Sequence, residues 1–238
     1  MVQSEMRVLV TGGAQGIGRS VCEKLKNEGH HVISADRQKQ KDGVYLDVTS
    51  EDSWDDVLDT TGPLDGLVNC AGIRTRNLII DTSFEEFQRH LDVNITGTWL
   101  GIRGVFRRRA NDSTSPDSSV ASIVNIASVN VVIAVPGQAH YVASKGAIVG
   151  LTKAAAIEGS AIGVRVNAIA PGAIRTPMTE ERLVDPEQVA WLEGRIPAGR
   201  VGEPDEIASV ASFLLSDGAS YITGTTVFAD GGWTANGV

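Results

Sequence analysis

The sequence predicts an α/β fold with one doubly wound parallel sheet of about seven strands and helices on both faces. Three observations support this prediction. Short runs rich in β-branched residues alternate with helix-like segments through most of the chain, as in β-α-β units. A glycine-rich turn directly follows the first apolar run. Hydrophobic residues make up 42% of the 238 residues, which is enough for one substantial core.

Strands are predicted where apolar and β-branched residues cluster, at residues 7–11, 31–35, 44–47, 66–69, 122–127, 165–169 and 226–229. Helices are predicted where longer segments favour helix, at residues 16–28, 53–58, 85–109, 138–162, 186–195 and 205–215. The helix at 138–162 is rich in alanine, although Gly146 and Gly150 weaken it.

A polar segment at residues 111–119 predicts an exposed and mobile loop, because Asn, Asp, Ser, Thr and Pro dominate it. Such a segment could also link two domains. A strand-like run follows at residues 123–126, so we expect an insertion within one sheet. The chain is therefore expected to form one domain over residues 1–238, with a substrate lid near residues 178–200.

The charge of the chain restricts its partners. A net charge of −8 and a pI near 5.0 argue against nucleic acid and anionic membranes, since both require a positively charged surface. No segment resembles a secretory signal or a membrane span, so a cytoplasmic protein is expected. Cys22 and Cys70 lack metal-ligand spacing, so we expect reduced thiols and no metal site. The basic run at residues 107–109 fits a helix end, or alternatively a phosphate or partner site.

The glycine-rich turn lies between the first predicted strand and the first predicted helix, where it can receive a pyrophosphate. Gly12 permits a tight turn, Gly16 allows the backbone to approach the phosphates, and Gly18 allows the helix to pack on the strand. Gln15 and Ile17 lie in the same turn and belong to the candidate site. The spacing is G-x-x-x-G-x-G, and a turn required only for steric reasons is the alternative.

An acidic residue follows the second predicted strand. Asp36 can accept hydrogen bonds from both hydroxyls of an adenosine ribose, and its charge repels a 2′-phosphate. NAD is therefore favoured over NADP. Arg37 qualifies this preference, since a guanidinium beside the ribose could hold the phosphate. The other interpretation of Asp36 is an ordinary turn residue.

Tyr141 and Lys145 are four residues apart in a predicted helix, so they share one helix face. Free tyrosine has a pKa of roughly 10, so acid–base chemistry near neutrality requires about 4 kcal/mol in favour of the phenolate. The ammonium of Lys145 is expected to lower the pKa of Tyr141. The Y-x-x-x-K pattern also occurs by chance on helix surfaces. His140 points about 100° away on the helix and is expected to be a pocket-wall or surface residue.

In order and spacing, these motifs resemble the classical short-chain dehydrogenase/reductase family, whose fold is of the Rossmann type. The resemblance spans residues 7–232. It is carried by Gly12, Gly16 and Gly18, by Asp47 and Val48, by Asn69-Cys-Ala-Gly72, and by Asn94, Ser128, Tyr141, Lys145, Pro171 and Gly172.

The resemblance implies how a dinucleotide is held. Asp47 would bind the adenine amino group, with the backbone of Val48 beside the ring. Asn69, Ala71 and Gly72 belong to a turn that lines the cofactor site. Cys70 departs from the family pattern there, which puts one supporting hydrogen bond in doubt.

A second segment of the family pattern is implied to hold the nicotinamide end. Pro171 and Gly172 begin this segment. The backbone of Ile174 and the hydroxyl of Thr176 would hold the carboxamide, and this contact would fix which face of the ring meets the substrate.

The resemblance also implies the chemistry. Tyr141 would be the acid–base group for hydride transfer, and Lys145 would hold the nicotinamide ribose. Ser128 would donate a hydrogen bond to the substrate oxygen, and Asn94 would anchor a water on a proton path. Simple structural roles are the alternatives for Ser128 and Asn94.

The substrate side is expected to include Ser128, Asn130, Gln138 and Tyr141. The apolar residues Trp191 and Leu192 suit a lid over a modest, largely hydrophobic ketone or secondary alcohol. No arginine cluster demands a carboxylate, yet an acidic or thioester-linked substrate is left open by Arg175, Arg182, Arg195 and Arg200.

These features favour an NAD-dependent oxidoreductase for a secondary alcohol or ketone. The alternatives are an NADPH-dependent 3-oxoacyl thioester reductase, against which Asp36 argues, and a non-catalytic dinucleotide sensor. By resemblance, the helices at 85–109 and 138–162 pair between subunits of a homotetramer. Trp233 would then rest against a neighbouring subunit.

Overall fold

Seven strands form one parallel sheet in the computed structural model, which describes residues 5–111 and 120–236. In chain order they are β1 (Arg7–Thr11), β2 (His31–Asp36), β3 (Val44–Tyr45), β4 (Gly66–Asn69), β5 (Ala121–Ile126), β6 (Val164–Pro171) and β7 (Thr226–Ala229). Their order across the sheet is β3-β2-β1-β4-β5-β6-β7, and all neighbours run parallel. The predicted doubly wound fold is confirmed.

Helices connect the strands and cover both faces of the sheet. They are α1 (Gly16–Asn27), α2 (Glu51–Thr61), α3 (Phe84–Leu91), α4 (Gly97–Asn111), α5 (Ala139–Ser160), α6 (Glu180–Leu183), α7 (Pro186–Glu193) and α8 (Pro204–Leu215). Among the helices of the described residues, none combines the length and apolar character needed to cross a bilayer. The loop predicted at 111–119 lies outside the described residues, except for Asn111 at the end of α4.

Two apolar layers hold the helices against the sheet. Leu9 of β1 packs into one layer with Trp54 of α2, whereas Val8 and Val10 pack into the other with Leu25 of α1. Successive strand residues point to opposite faces, so β1 contributes to both layers. Each of these side chains is buried, which explains why the strands are almost continuously apolar.

The edge strand β3 is shorter than predicted, ending at Tyr45 rather than at residue 47. The reason is a local turn. The Asp47 carboxylate accepts hydrogen bonds from the backbone N–H and the hydroxyl of Thr49 at 3.0 and 2.7 Å. Such side-chain bonds compete with a strand ladder and bend the chain toward α2, which Ser50 caps.

The helix predicted at 85–109 is divided by a π-helical turn, Asp92–Thr96, between α3 and α4. The N–H of Gly97 donates to the carbonyl of Asp92, five residues earlier. The hydroxyl of Thr98 donates a hydrogen bond to the carbonyl of Asn94 at 2.8 Å. Isolated π turns are frequent at functional sites, and this one contains Asn94.

The basic run at residues 107–109 lies in the last turns of α4, as predicted for a helix end. Arg107 and Arg108 form ion pairs with Glu51 and Asp59 of α2. These contacts join α4 to α2 and leave the run with a structural role.

A buried arginine that the sequence analysis did not identify closes the C-terminal end of α8. Arg165 of β6 is 7% exposed and donates to the carbonyls of Leu214 at 3.0 Å and Leu215 at 3.3 Å. It also donates to the carbonyls of Ser216 and Ile222. Burial lowers the pKa of its guanidinium. The last carbonyls of a helix have no intrahelical partner, so Arg165 supplies their donors.

We expect Arg165→Met to lower the free energy of unfolding by about 3 kcal/mol or more, because several buried carbonyls would lose their donor. Urea unfolding of the two proteins measures this difference. The matched control is Arg19→Met, since Arg19 pairs with Glu23 on the exposed face of α1. This control should change stability far less, because an ion pair in solvent contributes little. Equal effects of the two substitutions would contradict the role of Arg165.

Candidate active site

A cavity of about 620 Å³ runs along the edge of the sheet where the strands end. The turns that follow β1, β2, β4, β5 and β6 form its wall. This edge includes the switch point of the sheet, because β1 continues to β2 on one side while β4 lies on the other. Open α/β sheets bind ligands at that position, and the volume is typical of a small-molecule site.

The glycine turn lines one end of the cavity with Gly12, Gln15, Gly16, Ile17 and Gly18. Gly12 has φ +66, and a Cβ there would lie 2.9 Å from the backbone of Ala71. A Cβ at Gly18 would lie 2.2 Å from the Gly12 carbonyl oxygen. Larger residues at these two positions would therefore clash with the backbone and distort the turn. The turn leads into the start of α1, where backbone N–H groups can bind an anion.

Acidic groups follow β2 and β3. Asp36 accepts the N–H of Ala14 at 3.1 Å on one carboxylate oxygen and that of Gln38 at 2.9 Å on the other. It lines the cavity, as Arg37, Asp47 and Val48 also do. The guanidinium of Arg37 lies 3.9 Å from the Asp47 carboxylate. Burial would raise the pKa of Asp47, but hydrogen bonds from Thr49 and the charge of Arg37 together lower it.

The turn after β4 brings Ala71 and Gly72 to the cavity, whereas Asn69 does not line it. Asn69 is 4% exposed, and its amide donates to Asn125 of β5 at 2.9 Å. Asn69 therefore offers no side chain to the cavity, and its place among the cofactor-binding residues stays a prediction. Its side chain points into the sheet and supports the turn.

Cys70 lies in the same turn and lines the cavity. Its backbone N–H and that of Ala71 both donate to the hydroxyl of Thr11 at 3.1 Å. Burial strongly raises the pKa of the Cys70 thiol, which keeps it protonated. The turn thus retains its backbone contacts although the family's asparagine is absent.

Asn94 is fully buried in the π turn and does not line the cavity. Its amide accepts the N–H of Ile73 at 2.8 Å, and donates to the Ile73 carbonyl at 3.1 Å and to Ser144 of α5 at 2.9 Å. The side chain therefore joins three elements around the site. These contacts do not test whether Asn94 anchors a water on a proton path, so that role stays a prediction.

Tyr141 and Lys145 both line the cavity from α5, as the helical spacing predicted. The Lys145 ammonium lies 5.8 Å from the Tyr141 ring centroid and donates to the Ile126 carbonyl at 2.7 Å. Burial lowers the pKa of Lys145 to about 8.

The expectation of a lowered pKa for Tyr141 is wrong for the protein alone. Burial raises the pKa of Tyr141, and the hydrogen bond with Ser128 and the charge of Arg74 offset this only in part. A side chain only 8% exposed loses most of the water that would stabilise its phenolate.

A chain of hydrogen bonds borders the substrate side. The hydroxyl of Ser128 donates to Asn130 at 3.0 Å, and the amide of Asn130 donates to Gln138 at 3.3 Å. All three residues line the cavity together with Tyr141. The geometry thus brings the predicted substrate residues together.

Four predicted residues at the end of β6 also line the cavity: Pro171, Gly172, Ile174 and Thr176. The hydroxyl of Thr179 donates to the Ile174 carbonyl at 2.5 Å and accepts the N–H of Thr176 at 3.0 Å. This segment leads into α6 and α7, where the lid was predicted. Leu192 is completely buried there with Ile196 and Val201.

Three further residues line this site, and the sequence analysis had not placed Arg74 or Trp233 there. Arg74 lines the cavity beside the predicted residues, and so do Arg182 and Trp233. Arg175, Arg195 and Arg200 do not line it. Of the four arginines that left an acidic substrate open, Arg182 alone lines the cavity, so that alternative keeps its support. The position of Arg74 in the sequence could have predicted this, since it follows Gly72 at the carboxyl end of a strand.

Trp233 contacts its own chain, with its ring centroid 6.3 Å from that of Trp191 in α7. His140 was expected at the pocket wall or surface. It is 1% exposed and does not line the cavity; its Nε2 lies 3.0 Å from the hydroxyl of Thr75. Both residues therefore have packing partners within the chain.

The residues at this edge fit a bound dinucleotide. The glycine turn leaves room for phosphates, and a carboxylate stands where an adenosine ribose would lie. At the other end, Lys145 uses one donor on Ile126, and an ammonium carries three. Within residues 5–111 and 120–236, no group of three or more His, Cys, Asp or Glu side chains is arranged to hold a metal ion.

Comparison with known proteins identifies the family. A model of the family described as enoyl-(acyl carrier protein) reductase matches residues 12–234, nearly the whole chain. The chain belongs to the short-chain dehydrogenase/reductase family. This short-chain dehydrogenase/reductase is an NAD(P)-dependent oxidoreductase of the alcohol dehydrogenase and carbonyl reductase type.

Individual relatives are similar over their full lengths. Cyclopentanol dehydrogenase of Comamonas sp. strain NCIMB 9872 is 38% identical over 250 residues, covering 96% of this chain and 97% of that protein. A gluconate 5-dehydrogenase from Burkholderia cenocepacia J2315, solved with NADP and tartrate, is 29% identical with a TM-score of 0.90, covering 98% and 97%. A 4-hydroxyisoleucine dehydrogenase complexed with NADH is 31% identical with a TM-score of 0.89, covering 97% and 99%.

Proposed function

We propose that this short-chain dehydrogenase/reductase interconverts a secondary alcohol and its ketone, prefers NAD(H), and uses Tyr141 as the general acid and base. One observation carries the proposal. The buried phenol of Tyr141 lies in the cavity that the glycine turn begins, which Ser128 also lines, and it is one helical turn from Lys145. A proton donor, an oxygen-binding hydroxyl and a nucleotide cradle thus share one wall.

Bound NAD(H) supplies the chemistry of accepting or giving a hydride. The protein must then move one proton at the substrate oxygen. In alcohol oxidation Tyr141 takes this proton, and in ketone reduction it returns it. Ser128 donates a hydrogen bond to the same oxygen, so charge that develops there is stabilised.

Lys145 and Asn94 support this proton transfer. With a pKa of about 8, Lys145 is largely protonated at neutral pH, and its ammonium can favour the Tyr141 phenolate while holding the ribose hydroxyls. Asn94 fixes Ile73 and Ser144 around the site and is proposed to anchor a water that leads the proton to solvent. Burial keeps competing water away from the reacting atoms.

Asp36 supports the preference for NAD(H). Each of its oxygens accepts one backbone N–H, which leaves lone pairs for the two ribose hydroxyls. Its charge would repel a 2′-phosphate. Arg37 could counter this, but its guanidinium lies toward Asp47. Similar proteins of known structure include three complexes with NADP and one with NADH, so this chain's own residues decide the preference.

Residues 178–200 are proposed to close over the substrate as a lid of one domain. Leu192 anchors this segment through a small core with Ile196, while Trp191 packs near Trp233. The relatives' names include cyclopentanol, which is uncharged, and gluconate, which is an acid. The residues of the lid and its surroundings therefore decide which substrate is accepted.

The two alternative functions have weaker support. An NADPH-dependent 3-oxoacyl thioester reductase would have to place a 2′-phosphate beside Asp36. A dinucleotide sensor would need neither the phenol of Tyr141 nor the hydroxyl of Ser128 in its cavity.

A cytoplasmic location, expected from the sequence, stays a prediction.

Tyr141→Phe is expected to lower kcat/KM for cyclopentanol or another secondary alcohol by about 10²–10⁴-fold, because the proton acceptor is lost. NADH binding, followed by fluorescence, should be retained. Absorbance of the reduced nicotinamide measures turnover.

Because burial raises the pKa of Tyr141, wild-type oxidation should accelerate as the pH rises and ketone reduction should accelerate as it falls.

The control for this substitution is Tyr221→Phe, since Tyr221 is fully exposed. Its activity and pH dependence should match those of the wild type. Turnover by Tyr141→Phe within tenfold of the wild type would remove Tyr141 from the proposed role.

Asp36→Asn is expected to shift the ratio of kcat/KM for NAD over NADP by about tenfold or more toward NADP. The amide keeps the shape of the carboxylate but loses the charge that repels the 2′-phosphate. Steady-state kinetics with both cofactors provide the ratio. Asp42→Asn, an exposed position in the same connection, serves as control and should leave the ratio unchanged. An unchanged ratio in Asp36→Asn would contradict the assignment.

A homotetramer is proposed on the basis of two exposed apolar surfaces. Ile157 of α5 is 78% exposed and Trp99 of α4 is 43% exposed, while Phe213 of α8 is 48% exposed. Light scattering should give four times the chain mass of 25.1 kDa. Ile157→Asp should reduce this mass, whereas Ile80→Asp, at an isoleucine just as exposed, should not. A wild-type monomer at micromolar concentration would contradict the proposal.

A further inference from the structure

Two guanidinium groups line the cavity close enough for the charge of one to act on the other. Arg74 follows β4, and Arg182 belongs to α6 of the lid segment. Both line the cavity that contains Ser128 and Tyr141. Burial lowers the pKa of each, and the charge of nearby Arg76 lowers both further. Positive charge is therefore concentrated at this wall.

Neither group forms an ion pair within the part of the chain that the structure describes. Other arginines near the lid do, since Arg175 pairs with Glu203 at 3.3 Å and Arg200 with Glu206 at 2.7 Å. Glu181 is the acid whose charge reaches Arg74, but it makes no close contact with it. A partly buried cation without a carboxylate partner is costly unless a ligand supplies one.

The two side chains are held in place by groups other than acids. Arg74 donates to the carbonyl of Met178 at 2.6 Å. The guanidinium carbon of Arg182 lies 4.9 Å from the centroid of the Trp191 ring, and its buried Nε has no hydrogen-bond partner among the described residues. Stacking on an aromatic ring orients a guanidinium while leaving its N–H groups available.

The charge of Arg74 also acts on Tyr141, since it favours the phenolate and the phenolate favours the Arg74 cation. Such reciprocal effects require proximity. A single small molecule can therefore reach the phenol with its hydroxyl and the two guanidinium groups with another substituent. Planar guanidinium forks match the geometry of a carboxylate.

We propose that the substrate is a small hydroxy acid, or the corresponding oxo acid, whose carboxylate binds between Arg74 and Arg182. This assignment rests on the proposed function, because it places the reacting alcohol at Tyr141. It names the two arginines as the groups that determine specificity. The reaction would be oxidation of the alcohol carbon by NAD, with the carboxylate unchanged.

Binding tests the carboxylate site without any turnover. In Tyr141→Phe saturated with NADH, malonate should perturb the NADH fluorescence, while neutral malonamide should not. Arg74→Met and Arg182→Met, each combined with Tyr141→Phe, should weaken malonate binding by about 10–100-fold. Absence of malonate binding, or tighter binding of inorganic phosphate, would overturn the carboxylate site even if dehydrogenase activity is found.

Turnover provides the second test, with acids of three to six carbons that carry one secondary hydroxyl group, each compared with its methyl ester. The wild type should prefer the acid, and Arg74→Met and Arg182→Met should each lower the acid-to-ester ratio of kcat/KM by about 10–100-fold. Arg195→Met should leave this ratio unchanged, since Arg195 also stacks on Trp191 but does not line the cavity.

The outcomes of this second test are distinct. Preference for esters or for cyclopentanol over every acid would overturn the hydroxy-acid assignment. Intact malonate binding with no turnover of any alcohol would instead overturn the proposed function and leave the anion site established.

Discussion

The active site depends on a buried row of hydrogen bonds that ties the ends of three neighbouring strands to α5. Thr11 at the end of β1 holds the turn after β4 through two backbone N–H groups. Asn69 of β4 bonds to Asn125 of β5, and Asn125 donates to Thr152 of α5 at 3.0 Å. Every one of these polar side chains is buried, so a break in the row would leave an unsatisfied group in the core. The row therefore sets the position of α5, and with it that of Tyr141 and Lys145.

The electrostatics of the site follow from the same burial. Loss of water moves the pKa of Tyr141 upward and that of Lys145 downward, so it favours the neutral form of both groups. The protein alone therefore holds the pair in a state that is poorly suited to proton removal. A positively charged ligand near the phenol would reverse this balance, which couples readiness for chemistry to occupancy of the site. Arg74 is the resident cation that acts in the same direction.

Local patterns in the sequence were sufficient for the strands, the glycine turn and the shared face of Tyr141 and Lys145, because each depends on neighbours in the chain. Contacts between segments far apart in the chain could not be predicted from local patterns. The sequence could not show that Asn69 turns toward Asn125, because that pairing crosses two strands. The π turn around Asn94 depends on Ile73 and Thr98. Arg74 and Arg182 are more than a hundred residues apart, and only the fold places them in one cavity.

Thr179 divides the segment after β6 into two parts that can change independently. Its hydroxyl forms hydrogen bonds with the backbone of Ile174 and of Thr176, which hold both residues in one turn before α6 begins. Ile174 and Thr176 are thus held independently of the residues that follow Thr179. Substitutions in α6 and α7 can therefore change the wall of the cavity around Arg182 without loosening this turn. When lid segments are exchanged between homologous enzymes, Thr179 is the suitable position at which to join the two sequences.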